Sequence, residues 1–549
     1  MSTPFTGADL VARALAQMGV RHVFGIVSIH NMPLFDAINR LGETRIVDVR
    51  HEQAGTHAAD GYARATGRMG VMIASTGPGT SNCVTGLYEA QYASSRVLLI
   101  TGQAETAFYG KGMGYVHEAE AQVAMLRSVC RRVESPRHVD QLAGSLAAVV
   151  ADIHAGRGAP GAIEIPIDLQ YAETAETDFH PPRGPALAPD GQALERAVDR
   201  LGSSRRRVIV AGGGVVAADA AEALTHLAER LDAPVLTTNG GRGAMADDHP
   251  LCLGNYYTSA GMHQAIADAD LTLAVGTRFA VGVDGQGARL KPPGELIQVD
   301  VDAGMLGRVH AADLAIAADA RLALEGLLES LVDVPPNDAQ FNETVREAGE
   351  GVHAAMRRRL GTDYPRIMDA MRGRLPRDGL FVRDQTIAAY NFGNQLFPIF
   401  QPRTTMNPVS GAIGPGLPLA VGAAVATGRQ TLVMHGDGGF MFHATELATC
   451  AQYQLPLVIV VFNDGGYGVL RWLQDTRFGR INETDLGTVD FAALAESMGV
   501  PGVRVGSVEA FEEALDVGMA APGPYLIDVD MTRLAPMEIS IMPKRRGPA

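Results

Sequence analysis

His435-Gly436-Asp437-Gly438-Gly439-Phe440 and Val461-Phe462-Asn463-Asp464-Gly465-Gly466-Tyr467 are the two stretches that decide the fold. A short apolar run, Thr431–Met434, precedes the first stretch and reads as a buried strand. Residues Phe442–Tyr453 carry helical spacing, and Leu455–Phe462 is a second apolar, β-branched strand. Strand, turn, helix and strand in this order predict a βαβ unit with parallel strands. Both polar stretches then lie at the carboxyl ends of neighbouring strands, where open α/β sheets bind ligands.

Two carboxylates, Asp437 and Asp464, follow those strands among glycines. Hard oxygen ligands of this kind suit Mg²⁺, which often also takes oxygens from a bound phosphate. Glycines allow backbone N–H groups to approach such a phosphate closely. The alternative is a pair of ordinary strand-to-helix turns in which each Asp caps a helix.

A Gly-Asp-Gly turn followed by an Asn-Asn-like pair resembles the thiamine diphosphate motif of the acetolactate synthase, benzaldehyde lyase and 2-oxo-acid decarboxylase family. The resemblance implies that Asp437, Asp464 and the carbonyl of Gly466 hold Mg²⁺. It also implies cofactor contacts from the rest of the two stretches, namely Gly436, Gly438, Gly439 and Tyr467. The family usually has Asn where this chain has Asp464, so the site carries one more negative charge beside the diphosphate.

Glu52 is the predicted proton-transfer residue. It lies in His51-Glu52-Gln53-Ala54-Gly55, at the predicted end of the strand Arg45–Val49 and before a helix predicted over His57–Thr66. With Gly61-Tyr62-Ala63-Arg64, this segment resembles the pyrimidine-domain signature of the same family, in which the glutamate hydrogen-bonds the aminopyrimidine ring. A buried carboxyl group can share a proton in this way. The alternative is an acid that merely stabilises the first turn of a helix.

A glycine-rich loop, Gly411-Ala412-Ile413-Gly414-Pro415-Gly416, precedes an alanine-rich helix. It resembles the family loop whose bulky apolar residue holds thiamine diphosphate in a bent shape. The resemblance assigns that role to Ile413, with Gly411 beside the cofactor. Simple packing of a helix on a sheet is the alternative.

Substrate contacts are expected from loops that face the cofactor in the family. These loops are Ser28–Asn31, Gly102-Gln103 and Met113–Glu118. The candidate catalytic residues within them are His30, Gln103 and His117. By position, His30 matches the histidine of benzaldehyde lyase, whereas acetolactate synthases have a small residue there. An isolated loop histidine that is merely exposed is the alternative.

The tri-glycine Gly212–Gly214 follows a predicted strand and resembles the central domain of acetolactate synthase-like enzymes, some of which hold FAD. The stretch Gly276–Val283 lacks the acidic pair of the FAD-binding members. FAD is therefore not expected.

The 549 residues predict several domains, because one hydrophobic core does not grow to that size. We expect an α/β protein of three doubly wound parallel-sheet domains: a pyrimidine-binding domain (1–175), a central domain (190–335) and a diphosphate-binding domain (355–535). Linkers are expected at Thr174–Gly191 and from Val334 to about 355, with a tail over 536–549.

The net charge of −15 argues against nucleic acid or an anionic membrane as a partner. Four scattered cysteines, the absence of a signal-like N-terminus and the absence of a long apolar run indicate a cytoplasmic protein.

The resemblance implies a homodimer or homotetramer acting on small carbonyl substrates. Expected first is acetolactate synthase-like formation or cleavage of a C–C bond beside a carbonyl, with 2-oxo acids, aldehydes or acyloins as substrates. A non-oxidative 2-oxo-acid decarboxylase is the second candidate. A non-catalytic thiamine diphosphate-binding relative is the candidate from another class.

Overall fold

The structure, a computed structural model, describes residues 4–182, 184–280, 290–487 and 489–538. Its named strands form three open sheets in which each strand pairing is parallel. This confirms the predicted fold class of three doubly wound α/β units. Each sheet falls within one of the predicted domains, while the boundaries themselves stay a prediction.

The first sheet has the strand order β2-β1-β3-β4-β6-β5. These strands are β1 His22–Gly25, β2 Arg45–Asp48, β3 Gly70–Ala74, β4 Val97–Gln103, β5 Arg132–Glu134 and β6 Gly161–Pro166. The helices are Gly7–Gln17, Met32–Leu41, Glu52–Thr66, Pro78–Ala93, Gln122–Arg127, Leu142–His154 and Ile167–Tyr171. The chain reverses its direction across the sheet between β1 and β3, so a crevice opens at their carboxyl ends.

The central sheet has the order β11-β10-β9-β7-β8. These strands are β7 Arg207–Ala211, β8 Val235–Thr237, β9 Leu271–Val275, β10 Glu295–Asp300 and β11 Leu314–Ala317. The helices are Gly191–Ser203, Gly213–Ala217, Ala221–Leu231, Ala260–Ala265, Ala320–Ser330 and Ala339–Arg358. One apolar cluster fills each face of this sheet.

The third sheet has the order β13-β12-β14-β15-β17-β16. These strands are β12 Leu380–Arg383, β13 Thr405–Met406, β14 Thr431–Gly436, β15 Leu457–Asn463, β16 Gly502–Val505 and β17 Tyr525–Asp530. The helices are Tyr364–Arg374, Gly416–Thr427, Asp437–Phe440, Leu447–Gln452, Gly468–Phe478, Phe491–Ser497 and Val508–Ala520. Here the reversal lies between β12 and β14, and Asp437 follows β14 directly.

The first and third domains are joined by two helices, Glu52–Thr66 and Gly416–Thr427, whose backbones touch. A Cβ atom on Gly61 would lie 2.0 Å from the carbonyl oxygen of Leu419, and one on Gly422 would lie 1.8 Å from that of Ala58. Both distances are far below van der Waals contact, so only glycine fits at either position. A single apolar cluster runs through this contact and includes Leu87 and Leu417.

The sequence predicted Glu52 at the end of a strand, but the structure places it elsewhere. Strand β2 ends at Asp48, and Glu52 is the first residue of a helix that begins five residues earlier than expected. The cause is His51, whose Nδ1 accepts a hydrogen bond from the Gln53 N–H and so caps the helix. Glu52 therefore combines the two readings of the sequence, since it is a first-turn acid that also faces the crevice.

Most of the second predicted linker is the helix Ala339–Arg358, whereas its role as a domain boundary stays a prediction. Asp338 caps that helix by accepting from the Phe341 N–H, and Phe341 and Val345 pack into a core cluster of the central domain. The two prolines at 335 and 336 therefore precede a helix.

The helix predicted over Phe442–Tyr453 was also too long. The structure has a one-turn helix Asp437–Phe440, a 3₁₀ turn Ala444–Glu446 and a helix Leu447–Gln452. His443 has a non-helical backbone, and its Nδ1 contacts the Gly414 carbonyl oxygen at 3.0 Å. This contact holds the chain outside helical geometry at that point.

Within the described ranges, no helix combines the length and apolar character needed to cross a bilayer. Of the predicted tail, residues 539–549 lie outside the described residues.

We predict that Gly61→Ala lowers the apparent melting temperature of the protein. Overpacking of a close contact costs ~1–3 kcal/mol or more, which exceeds the ~1 kcal/mol that alanine gains over glycine in a helix. Gly144→Ala is the matched control, since Gly144 lies in the helix Leu142–His154 with nothing within 4 Å of its added Cβ. Thermal unfolding of both variants checks this, and equal melting temperatures would contradict it.

Candidate active site

The carboxylates of Asp437 and Asp464 meet at the carboxyl edge of the third sheet. Strands β14 and β15 are neighbours in register, with Gly436 opposite Phe462, so the residues that follow them come together. Both side chains are buried, and Asp464 Oδ2 receives no hydrogen bond from the described residues. Burial, and next repulsion from Asp464, raise the pKa of Asp437 to about 7. Burial also raises the pKa of Asp464, against the opposing effect of Arg471.

Two buried acidic groups in contact are stabilised by a cation between them. The unsatisfied oxygen of Asp464 is the kind of atom that a metal ion would satisfy. The described residues contain no cluster of three or more His, Cys, Asp or Glu side chains arranged to hold a metal. If Mg²⁺ binds here, two carboxylates would leave coordination positions open for other oxygens, as in Mg²⁺ sites that also bind phosphate.

Arg471 supplies the positive charge that faces Asp464. Its Nη2 donates to the Asp464 carbonyl oxygen at 2.9 Å and to Oδ1 at 3.3 Å. Its Nε lies 3.4 Å from Asp485 Oδ1. The guanidinium is 1% exposed, so this ion pair is shielded from solvent. A Cβ on Gly468 would lie 1.8 Å from Asp464 Oδ2, so a side chain there would displace the Asp464 carboxylate.

The glycines of the Gly-Asp-Gly turn leave its backbone open toward the loop that carries Ile413. A Cβ on Gly439 would lie 3.5 Å from the Gly414 nitrogen and 3.6 Å from Ile413 Cβ. A Cβ on Gly438 would lie 2.6 Å from the Tyr467 ring. The predicted cofactor residues of the third domain are thus brought together, with Gly411 at the exposed end of the loop.

Asp384, which the sequence analysis missed, fixes this loop from behind. Its Oδ2 accepts from the N–H groups of Gly414 and Gly416 at 2.7 and 3.0 Å. Burial raises the pKa of Asp384 to about 7, although these hydrogen bonds oppose the rise. The only signal in the sequence was an acidic residue at the end of the predictable strand Leu380–Arg383.

His435 also contacts the segment that carries Ile413. Burial lowers the pKa of His435 to about 3, so its ring is neutral. Its Nε2 accepts from the Leu417 N–H at 2.7 Å, which places the proton on Nδ1, 3.2 Å from Asp384 Oδ2. The loop before the helix Gly416–Thr427 is therefore held by groups on β12 and β14.

Glu52 lies at the crevice of the first domain, half-buried at the start of its helix. One of its oxygens accepts from Asn82 Nδ2 at 3.0 Å. Asn82 belongs to the helix Pro78–Ala93, which begins after β3. Asn82 was missed as a functional residue, and it fixes the orientation of the Glu52 carboxyl group.

His30 is buried, contrary to the alternative of an exposed loop histidine. It lies after β1, and its Nδ1 is 3.5 Å from Ser75 Oγ, which follows β3. The ring centroid of His117 is 5.4 Å away. Burial, and next the charge of His117, lower the pKa of His30, so its imidazole is neutral at pH 7. His117 itself is exposed.

Gln103 lies below this surface rather than on it. It is fully buried, and its amide nitrogen donates to Glu164 Oε2 at 3.0 Å while its oxygen accepts from the Ala104 N–H at 2.8 Å. Substrate contact by Gln103 stays a prediction. In the structure its amide supports Thr76, whose hydroxyl lies 3.4 Å from Gln103 Oε1.

In the central domain, Gly212 and Gly214 pack against the backbone of Gly276. A Cβ on Gly212 would lie 2.2 Å from the Gly276 carbonyl oxygen. The prediction that FAD does not bind depends on the stretch Gly276–Val283. The structure describes this stretch only to residue 280, and Val281–Val283 lies outside the described residues.

Three family models match the chain. The N-terminal thiamine pyrophosphate-binding domain covers residues 5–125, the central domain 194–327 and the C-terminal thiamine pyrophosphate-binding domain 387–529. The chain therefore belongs to the thiamine pyrophosphate enzyme family, and it is a thiamine diphosphate-dependent enzyme.

Its relatives narrow this class. The chain is 34% identical to a probable 2-ketoarginine decarboxylase of Pseudomonas aeruginosa, over 95% of this chain and 94% of the relative. It is 31% identical to a probable acetolactate synthase large subunit of Methanocaldococcus jannaschii, over 95% and 91%. An acetolactate synthase large subunit of Parasynechococcus marenigrum is 30% identical, over 96% and 88%. The predicted resemblance to acetolactate synthases and 2-oxo-acid decarboxylases is confirmed.

We predict that Arg471 and Asp464 are energetically linked. Arg471→Met leaves a buried carboxylate without its nearest counter-charge and should lower the free energy of unfolding by ~3–5 kcal/mol. The double variant Arg471→Met, Asp464→Asn should recover part of that loss. Denaturant unfolding without cofactor or metal, on both single variants and the double variant, measures the linkage. Strictly additive effects would show that the ion pair stabilises nothing.

Proposed function

We propose that this enzyme uses thiamine diphosphate and Mg²⁺ to form or cleave a C–C bond beside a carbonyl group, in the manner of acetolactate synthase. The observation that carries the proposal is the contact of two buried carboxylates, Asp437 and Asp464, beside a glycine turn and the Ile413 loop. Asp437, Asp464 and the Gly466 carbonyl would hold Mg²⁺. The diphosphate would lie along Gly436, Gly438 and Gly439, and Ile413 would support the bend of the cofactor.

When bound, thiamine diphosphate supplies a carbon nucleophile that adds to the carbonyl of a 2-oxo acid or an aldehyde. The part of Glu52 is to hold and move a proton at the ring nitrogen of the aminopyrimidine. Its hydrogen bond from Asn82 fixes the carboxyl group for this task. Orientation of this kind matters because proton transfer requires hydrogen-bond distance.

The substrate side of the proposal rests on His30. A neutral imidazole in a buried crevice can donate a hydrogen bond to the oxygen of a reacting carbonyl as negative charge develops on it. The Ser75 hydroxyl, 3.5 Å from His30 Nδ1, would fix the tautomer and leave the other nitrogen to face the substrate. This arrangement favours aldehyde or acyloin oxygens as partners.

A second candidate is a simple 2-oxo-acid decarboxylase. The relative at 34% identity, named a probable 2-ketoarginine decarboxylase, favours it, because the match spans 95% of this chain. The two candidates differ in their products, which are CO₂ and an aldehyde for a decarboxylase and a joined carbon skeleton for a carboligase.

One assay separates these candidates. The purified protein is incubated with thiamine diphosphate and Mg²⁺, and with pyruvate, benzoylformate, benzaldehyde or 2-ketoarginine, alone and in pairs. Acyloin or acetohydroxy-acid products support carboligation, whereas CO₂ and an aldehyde alone support decarboxylation. Asp437→Ala is the cofactor-deficient control, and loss of bound thiamine diphosphate in that variant shows that turnover depends on this site. No turnover of any carbonyl substrate would contradict the proposal.

We also propose that the enzyme is a homodimer or homotetramer. Large apolar side chains are exposed next to the site residues of both domains: Ile29 at 55%, Val116 at 57%, Met441 at 48% and Phe442 at 55%. Burial of such a surface is typical of an obligate interface. Analytical ultracentrifugation tests this, and an active monomer at assay concentration would contradict it.

A cytoplasmic location is part of the proposal. Its support is that Cys83, Cys130, Cys252 and Cys450 are all free, as thiols are in a reducing compartment. The acidic net charge of −15 likewise supports small molecules rather than nucleic acid as partners.

We predict that Glu52→Gln lowers kcat by ~10²–10⁴-fold, the usual size of an acid–base contribution. Glutamine keeps the shape and the contact with Asn82 but cannot exchange a proton at neutral pH. Steady-state kinetics and thiamine diphosphate affinity are measured together. A variant with near wild-type kcat would remove Glu52 from the mechanism.

We predict that His30→Ala lowers kcat more than it changes KM. The hydrogen bond to a developing alkoxide strengthens in the transition state, so its loss is felt mainly in kcat. His138→Ala serves as the control, because His138 is an exposed histidine of the same domain. Unchanged kcat and kcat/KM in His30→Ala would assign the residue a packing role only.

A further inference from the structure

Glu89, a buried acid of the first domain, binds the backbone of the third domain. It lies on the helix Pro78–Ala93 and is 1% exposed. Its Oε1 accepts from the Val409 N–H at 2.6 Å, and its Oε2 accepts from the Ser410 N–H at 3.0 Å. Two backbone donors of a loop in another domain are thus satisfied by one carboxylate.

Arg64 binds the same loop from the helix Glu52–Thr66. Its Nη1 donates to the Asn407 carbonyl oxygen at 2.7 Å, and its Nη2 donates to Glu89 Oε1 at 2.7 Å. Its Nε donates to Asp60 Oδ1 at 2.8 Å, and Asp60 is fully buried. We call Asp60, Arg64 and Glu89 the loop clamp. The clamp contacts residues 407, 409 and 410 through both carbonyl and N–H groups.

The chemistry of the clamp is that of a charged, desolvated network. Burial by itself raises the pKa of Glu89, but Arg64 and the backbone donors outweigh it, so the pKa of Glu89 is lowered. Glu89 is therefore a carboxylate at neutral pH, and its bonds to N–H groups are charge-assisted. Such bonds are shorter and stronger than neutral ones, and their loss leaves a desolvated group unpaired.

The clamped segment ends directly before Gly411 and Ile413. Gly411 has φ +84° and nothing within 4 Å of an added Cβ, so little packs against the loop at that residue. Asp384 holds the far side at Gly414 and Gly416. The clamp and Asp384 therefore fix the two ends of the three residues 411–413 between them.

We propose that Asp60, Arg64 and Glu89 are positioning residues for thiamine diphosphate, because they fix the loop through which Ile413 would support the cofactor. This rests on the proposed function for the role of Ile413. The same two helices carry Glu52 and Asn82 at their N-terminal ends. One rigid pair of helices thus sets both the proton-transfer carboxyl group of the first domain and the cofactor loop of the third.

The test is Glu89→Gln, which keeps the volume of the side chain but removes its charge. Hydrogen–deuterium exchange of the cofactor-free protein should show ~10–100-fold faster exchange over residues 407–416, since one N–H group then faces the amide NH₂ and the other keeps only a neutral acceptor. The affinity for thiamine diphosphate should fall ~10-fold, while kcat at saturating cofactor stays within about 3-fold of wild type.

Asn337→Ala is the matched control. Asn337 is a buried polar residue of the central domain whose Nδ2 donates to the Arg207 carbonyl oxygen at 2.9 Å, so its loss destabilises without touching the loop. It should leave exchange over residues 407–416 unchanged. If Glu89→Gln does not fold, Arg64→Lys replaces it, since lysine keeps the charge but cannot bridge Asn407, Glu89 and Asp60 together.

Exchange over residues 407–416 equal to wild type, or a fall in kcat with unchanged cofactor affinity, would overturn the proposal. Failure of the proposed function is distinguishable, because the exchange measurement uses the cofactor-free protein. If wild type itself binds no thiamine diphosphate, the proposed function fails and the cofactor role of the clamp fails with it. Faster exchange in the variant would then show only that the clamp orders the loop.

Discussion

The rest of the structure depends on the contact between the helices Glu52–Thr66 and Gly416–Thr427. Gly61 and Gly422 remove the side chains that would separate them, so carbonyl oxygens of each helix lie where a Cβ would otherwise stand. Because each helix follows or precedes a site loop, the contact also sets where those loops lie. A substitution at either glycine would shift Glu52 relative to its own sheet and Ile413 relative to Asp437, without touching any reacting group.

The second constraint is the charge gathered at the carboxyl edge of the third sheet. Asp384, Asp437 and Asp464 are all buried there, and desolvation raises the pKa of each. The backbone N–H groups of Gln385, Gly414 and Gly416 donate to Asp384, whereas Arg471 faces Asp464. Asp437 has no such partner of opposite charge among its strongest interactions, and its nearest charged neighbour is Asp464. A divalent cation at this edge would relieve that repulsion, which supports the metal site that we propose here.

Much of this site could be predicted from the sequence because it is local. Asp437 and Asp464 each follow a run of apolar residues that can only be a buried strand, so their meeting at one sheet edge follows from parallel pairing. The hydrogen-bond partners of the site residues could not be predicted, because they lie on other elements of the fold. Asn82 reaches Glu52 from a different helix, and Arg471 reaches Asp464 from the helix Gly468–Phe478 that follows it. The burial of His30 was missed for the same reason, since Ser75 and His117 reach it from other strands and loops.

The backbone conformation of His117 is held by a network of buried polar side chains. His117 has φ +61°, a left-handed conformation that costs a residue other than glycine ~1 kcal/mol or more. The Thr76 hydroxyl donates to its carbonyl oxygen at 3.2 Å, and that oxygen lies 2.5 Å from where a Cβ of Gly77 would stand. The same hydroxyl lies 3.0 Å from Gln122 Oε1, which accepts from the Gly77 N–H at 2.9 Å, and the Gln122 amide nitrogen donates to Glu164 at 2.8 Å. A buried polar network thus holds the backbone of an exposed residue in a costly conformation and turns its ring toward His30. Strain of this kind is often found at functional positions, which agrees with the role that we propose for His30.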